Sequence, residues 1–281
     1  MLSKTLKSLD NIRFGKTDLQ MQMKARAFNR RVGTPAPSDS PLVIFAMPLV
    51  SRRRSEDWDR VQANLATTLS SFMAQSDPNW TVYICGQDRP ALPDDDRVHF
   101  IETNISDKFY DKGDKRRALI SHIADDLKRD GYYMQFDADD ILHPMFVAHV
   151  LTDNNGRGYL IDTGHFIALA EQRVVALDNF NAFCGSCAAV YVDFRTHKNY
   201  KKFLSQHRSH TQIAAYCTLY ERPLSAIPFK AALYLTGHGE NMYGRRGLLS
   251  DRTKTLVEVA LSEDDAKATL KEFGVSWADL V

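Results

Sequence analysis

The chain has 281 residues, 44% hydrophobic and 25% charged, with a formal net charge of +1. This places it among ordinary soluble globular proteins, long enough for one large α/β domain with appendages or for two compact domains. The near-zero charge gives no global attraction to nucleic acid, and four cysteines (Cys85, Cys184, Cys187, Cys217) are too few for a disulfide scaffold and fit a reducing compartment. No apolar run reaches the roughly 18 residues of a membrane span, and the N-terminus lacks the apolar core of a secretion signal, so a cytoplasmic protein is expected.

In chain order, residues 1–31 hold eight Lys/Arg against Asp10 and Asp18 alone, and read as one or two basic amphipathic helices. "VGTPAPSDSP" (Val32 to Pro41) follows as a linker. Two uses stay open for this extension. One is peripheral contact with an anionic membrane surface; the other is a solvated helical appendage or an oligomer contact. "LVIFAMPLV" (Leu42 to Val50) is nearly all apolar and suits a buried parallel strand. Trp58, Val61, Leu65, Leu69 and Phe72 then recur at helical spacing, with Ser55 as N-cap. "WTVYICG" and "RVHFIET" are further strands, and "DKRRALISHIADDLKRD" is a helix that Gly131 would stop. "YYMQFD" is a fourth strand. Later come "GYLIDTGHFIAL", "CAAVYVDF", a helix around "HTQIAAYCTLYE", "SAIPFKAALYL" and a tail helix with a Ser262/Asp265 capping box and a Gly274 stop. The alternation predicts an α/β fold with a mostly parallel sheet flanked by helices.

The fourth strand runs into "FDADD", which crowds Asp137, Asp139 and Asp140 at a strand's carboxyl end, where ligands bind in such sheets. Clustered carboxylates repel unless a cation offsets them. Oxygen ligands favour Mg²⁺ or Mn²⁺. A calcium EF-hand starting at Asp137 fails, because its sixth and twelfth places hold Leu142 and Ala148. An aspartyl-phosphate phosphatase would use Asp137 as nucleophile, but wants Thr or Val where Asp140 stands and a first-strand position. A solvated turn that caps the next helix is the plain alternative. Cys184-Gly185-Ser186-Cys187 lacks a second ligand pair for zinc and reads as packing and pocket shape.

From Pro41 to about Gly247 the chain resembles nucleotide-sugar glycosyltransferases of the GT-A fold, most closely the family-2-like group. The likeness rests on "MPLV", on "TLSSFMAQSDPNWTVYICGQD" with Leu69, Ser71, Gln75 and Trp80, on "KGDKRRAL", on "FDADD" and on "YLTGHGENMYGRR". It implies a GT-A (Rossmann-like) domain over 41–250, between an N-terminal extension and linker (1–40) and a C-terminal helical tail (251–281). The implied reaction moves a sugar from a nucleotide-sugar donor to a glycan or lipid-linked acceptor hydroxyl, with Mn²⁺ or Mg²⁺, inversion being expected, in surface polysaccharide or glycoconjugate synthesis. A noncatalytic nucleotide-sugar-binding protein of the same fold is the alternative.

The resemblance implies roles residue by residue. Asp139 ligates the metal and His238 completes its shell or touches the diphosphate. Asp137 meets the donor ribose or sugar, and Asp140 supports the site or touches the sugar. Pro48 and Val50 meet the nucleotide, Asp88 its base, and Arg116 faces the nucleotide from a helix start that also holds Lys112 and Arg117. Asn241, Arg245 and Arg246 suit phosphate oxygens. The expected acidic base is missing, since no carboxylate lies between Asp193 and Glu221. His210, where the acid should stand, and Asp193, at the end of its strand, are the two candidates for the base.

Overall fold

The computed structural model describes residues 17–207, 209–240 and 255–280. After helix α1 (Thr17–Val32), the apolar runs form strands β1 (Leu42–Pro48) and β2 (Trp80–Gly86), joined by α2 (Trp58–Met73). Both strands are buried along nearly their whole length because they pair in parallel as interior strands of a sheet covered on both faces. Next come β3 (Val98–Glu102), α3 (Lys112–Asp126), β4 (Asp130–Gln135), β5 (Asp140–Leu142), α4 (Phe146–Asp153) and β6 (Gly158–Leu160). Then follow β7 (Gly164–Ala168), β8 (Arg173–Leu177), β9 (Ala188–Asp193), α5 (Asn199–Gln206), α6 (Ile213–Leu219), β10 (Ser225–Ala226), β11 (Ala232–Thr236) and α7 (Glu263–Glu272).

The main sheet has the order β10-β6-β9-β4-β1-β2-β3 and is mostly parallel, with β9 reversed between β6 and β4. Helices flank it, as the alternation predicts. The chain moves outward from β1 to β3, then returns through α3 to set β4 against the free side of β1. The carboxyl ends of β1 and β4 therefore part where the strand order reverses, which makes a ligand crevice.

A second sheet, β5-β11-β7-β8, was not expected. "GYLIDTGHFIAL" is two strands in different sheets, β6 and β7. The tail helix α7 covers the second sheet, placing Ala266, Leu270 and Phe273 against Ile141, Ile167, Val174 and Leu233. Ser262 caps it by accepting from the Asp265 amide, and Gly274 ends it at φ +70°.

Three local expectations change. The N-cap of α2 is Asp57, whose carboxylate accepts from the Arg60 amide, not Ser55. Gly131 lies inside β4 rather than stopping α3. A Cβ there would stand 2.1 Å from the Leu42 carbonyl oxygen, so the β1–β4 approach demands glycine. The Pro/Ser linker is tied down, for Ser38 donates through its amide (2.7 Å) and hydroxyl (2.6 Å) to the buried Asp130 carboxylate. Helix α1 is likewise docked. Phe28 packs on Tyr200, Phe203 and Tyr220, while Leu19 and Met23 face outward beside Lys24 and Arg26. No helix among the described residues is long and apolar enough to cross a membrane.

Candidate functional site

A cleft of about 680 Å³ opens beyond the carboxyl ends of β1 and β4. Pro48 and Val50 line it at the end of β1 and just past it; Tyr133, Gln135 and Asp137 line it along β4 and just past its end. The alternation of those three follows from the strand's two-residue period. Helix α3 forms the facing wall with Lys112 and Arg116, one turn apart. Phe183, Val190 of β9, and residues of α5 and α6 close the other side.

The three carboxylates of "FDADD" meet different fates. Asp137 lies 2.7 Å from the Lys112 ammonium. Burial works against that ammonium's charge, but the Asp137 carboxylate outweighs it and holds Lys112 above its ordinary pKa. Asp140 is fully buried in β5 and accepts from Ser186 Oγ (2.5 Å) and Cys184 Sγ (3.0 Å). Burial, with Asp139 and Asp137 close by, pushes its carboxyl well above the usual range. It is therefore a support beneath the cleft and does not line it. Asp139 faces His238 across 3.0 Å.

The second sheet explains that last meeting. β11 runs antiparallel to β5 with Tyr234 opposite Asp140, so the residues just past β11 return beside Asp139. His238 stands between Gly237 and Gly239, both left-handed at φ +87° and +85°, which glycine adopts without strain. Glu240 then fastens the loop, since its carboxylate accepts from the Glu56 and Asp57 amides at the start of α2, each at 2.8 Å.

Asp139 and His238 can share a divalent cation. Donors 3.0 Å apart match neighbouring vertices of an octahedron with metal–ligand bonds of about 2.1 Å. The buried Nε2 of His238 is close to Asp139 Oδ2 but not aligned as a hydrogen bond, which leaves it without a proper partner. Among the described residues no group of three or more His, Cys, Asp or Glu converges to cage a metal. A Mg²⁺-like ion held by two protein donors and completed by phosphate oxygens fits such a site. The Asn64 amide lies 3.1 Å from His238 Nδ1, which also receives the Glu240 amide at 3.3 Å. The Glu240 backbone amide can only donate, so in this arrangement Nδ1 accepts and the ring proton sits on Nε2, facing Asp139. A cation at Nε2 would require the Glu240 bond to be given up and the Asn64 amide turned, so that Oδ1 accepts from Nδ1–H.

His210 lies across the cleft at the start of a 3-10 turn leading into α6. Its Nδ1 is 2.7 Å from the Asn181 carbonyl oxygen, which can only accept, so Nδ1 carries the proton and Nε2 keeps its lone pair. The rival Asp193 is not brought to the site. It pairs with Asp130 at the opposite end of β4, about 20 Å along the strand from Asp137, and its carboxylate holds Arg195. Asp88 does not line the cleft and accepts instead from the Arg52 amide (2.8 Å). Asn241, Arg245 and Arg246 lie outside the described residues.

The C-x-x-C cysteines are both buried. Burial pushes Cys187 up to about 12 and Cys184 well above its ordinary value, so both stay thiols. Several cleft residues had no signal of their own in the sequence. Asn64 is one polar residue on an amphipathic helix, Tyr133 reads as a core aromatic, and His207 sits unremarked in "SQHRSHTQ".

No family model matches the chain, and no curated protein does. Among solved structures, it is similar to the crystal structure of the glycosyltransferase GlyE in Streptococcus pneumoniae TIGR4, at 11% identity and a TM-score of 0.37, covering 86% of this chain and 62% of that one. The apo form of GlyE gives 11% identity and a TM-score of 0.35 over 85% and 62%. The chain thus spans less than two thirds of the length of these neighbours, and a superposition this loose carries no argument about activity.

Proposed function

We propose that the protein is a glycosyltransferase that moves a sugar from a nucleotide-sugar donor to an acceptor hydroxyl, with Asp139 and His238 holding Mn²⁺ or Mg²⁺. The observation that carries this reading is the meeting of the Asp139–His238 pair with Lys112 and Asp137 at the strand-order reversal, with an accepting imidazole nitrogen across the cleft. When bound, the cation neutralises charge on the departing nucleoside diphosphate. Lys112 adds a positive group on the same side and fixes Asp137 toward the donor. Pro48 and Val50 shape the wall against the nucleotide.

His210 takes the role of base. Its Nδ1–H is fixed on the Asn181 carbonyl, so Nε2 accepts the hydroxyl proton as the acceptor oxygen attacks. The new bond joins that oxygen to the anomeric carbon. The bond from this carbon to the diphosphate oxygen breaks, and its electron pair leaves with the diphosphate. One displacement of this kind inverts the anomeric centre.

The test is a thermal-shift screen of UDP-, GDP-, CMP- and dTDP-sugars with and without Mn²⁺. Mn²⁺-dependent stabilisation by one of them is expected, followed by donor hydrolysis or transfer. If none stabilises the protein under either condition, the reading is wrong. Metal-dependent binding without turnover would make the chain a binding module of the same fold.

A further inference from the structure

The cleft has two ends of different chemistry. The outer end holds Asp137 and Asp139, whose side chains are 24% and 22% exposed. The inner end is walled by Val190, Phe203, Leu204, Ile213 and Tyr216, all buried yet facing the cavity. One helical turn of α3, about 6 Å, separates Lys112 from Arg116. Four residues of β4, about 13 Å, separate Asp137 from Tyr133. Two ladders thus descend together, from the Lys112–Asp137 pair to Arg116 and Tyr133 below.

The outer pair is neutralised and the inner one is not. Lys112 has Asp137, and Lys115 has Asp111. Arg116 has no carboxylate partner among the described residues. Its Nη2 lies instead 3.1 and 3.3 Å from the two ring nitrogens of His207. Burial and the adjacent guanidinium push that imidazole down to about 4, so it is neutral and offers no counter-charge. The Tyr133 hydroxyl, on a residue only 6% exposed, lines the same end and has no hydrogen-bond partner. An apolar-walled end of a cleft that holds a cation without an anion and an orphaned buried donor is incomplete without a ligand.

We propose that Arg116, Tyr133 and His207 form an oxyanion-binding subsite for a small acceptor with an aromatic body, an acidic group at its inner end and the reacting hydroxyl at its outer end. The guanidinium pairs with the carboxylate or phosphate, and the Tyr133 hydroxyl donates to it. The aromatic body fills the apolar walls, which directs the hydroxyl outward to His210 and the donor. Arg116 is then an acceptor residue rather than a nucleotide residue. The word acceptor rests on the glycosyltransferase reading; the anion subsite itself does not.

Calorimetric titration of the full chain tests this with 4-hydroxybenzoate, 4-hydroxyphenyl phosphate and the neutral 4-hydroxybenzyl alcohol. A separate arm titrates nucleoside diphosphates with Mn²⁺. The wild type should bind at least one aryl anion tenfold or more tightly than the alcohol, and the better anion tells carboxylate from phosphate. Arg116→Gln should lose that preference while nucleoside diphosphate affinity stays within about twofold. Tyr133→Phe, which conserves the ring and the packing, should weaken the anions several-fold and the alcohol not at all. Equal binding of alcohol and anions, or no aryl binding at all, overturns the subsite. So does an Arg116→Gln loss confined to nucleoside diphosphates. Aryl anion binding with no nucleoside diphosphate binding leaves the subsite standing and removes the glycosyltransferase reading.

Discussion

Lys115 is 1% exposed, yet it carries an ammonium directly under the cleft. Its Nζ donates to the Leu49 carbonyl (2.6 Å) and lies 2.8 Å from Asp111 Oδ2. Gln87 also donates to that carboxylate, at 2.9 Å. The network ties the end of β1 to the start of α3, which are two walls of the outer end of the cleft. Asp111→Ala removes the only carboxylate partner that this buried ammonium has among the described residues and leaves it one carbonyl. Breaking a buried pair from one side costs about 3–5 kcal/mol. In a chain of this size that lowers Tm by on the order of 10 °C. Lys115→Met removes the charge that needs pairing and leaves Asp111 with Gln87 at the cleft wall, so it costs about 1–2 kcal/mol. The double variant should then be no worse than Asp111→Ala, since the orphaned ammonium is gone; the two effects are far from additive. Differential scanning calorimetry of the three variants reads these values. An Asp111→Ala cost below about 1 kcal/mol, or a double variant at the sum of the singles, would refute the claim that the pair is buried and coupled.

Three further outcomes are expected. His210→Gln should lower transfer by about 10²–10⁴-fold while donor affinity, read by calorimetry, is unchanged; retained turnover would remove His210 as the base. Asn64→Leu should weaken Mn²⁺ binding about 10–100-fold, and Asn64→Asp, which can only accept from His238 Nδ1–H, should retain or strengthen it, both read by Mn²⁺ electron paramagnetic resonance. His165, buried in β7 against Phe273, is pushed down to about 4 by burial with Lys230 adding to it. The unfolded chain takes up this proton first, near pH 6.5, so the native state is favoured fully above that pH. That advantage is lost as pH falls toward 4, by at most about 3 kcal/mol. His165→Leu should flatten this acid limb in denaturant titrations run from pH 7 to 4, and an unchanged limb would show that His165 does not drive it.

The elements that were legible in the sequence are those whose signal is local. β1 and β2 are unbroken apolar runs because both faces of an interior parallel strand are covered. The Ser262 cap and the Gly274 stop are written in adjacent residues. What was not legible depends on partners far away in the chain. The second sheet is built from strands of three to five residues, too short for a period to declare itself, and it divides "GYLIDTGHFIAL" between two sheets. Gly131 looks like a helix stop because the sequence does not show the Leu42 carbonyl that excludes a side chain there.

The same limit governs the acidic motif. Asp137, Asp139 and Asp140 look alike in "FDADD", and their crowding points to one shared cation. The fold gives each its own environment. Asp137 takes a lysine from the preceding helix, Asp139 a histidine almost a hundred residues later, and Asp140 a serine and a thiol beneath the sheet. The turn at Ala138 and Asp139, between β4 and β5, separates them first, since the chain changes direction before Asp140 enters β5. Asp139 thus faces the cleft while Asp140 turns inward. The motif therefore does not present three equivalent carboxylates to one cation, because Asp137 is paired with Lys112 and burial pushes the Asp140 carboxyl toward its neutral form. In the proposed glycosyltransferase, a cation held by Asp139 and His238 would have most of its shell left for oxygens of the bound donor.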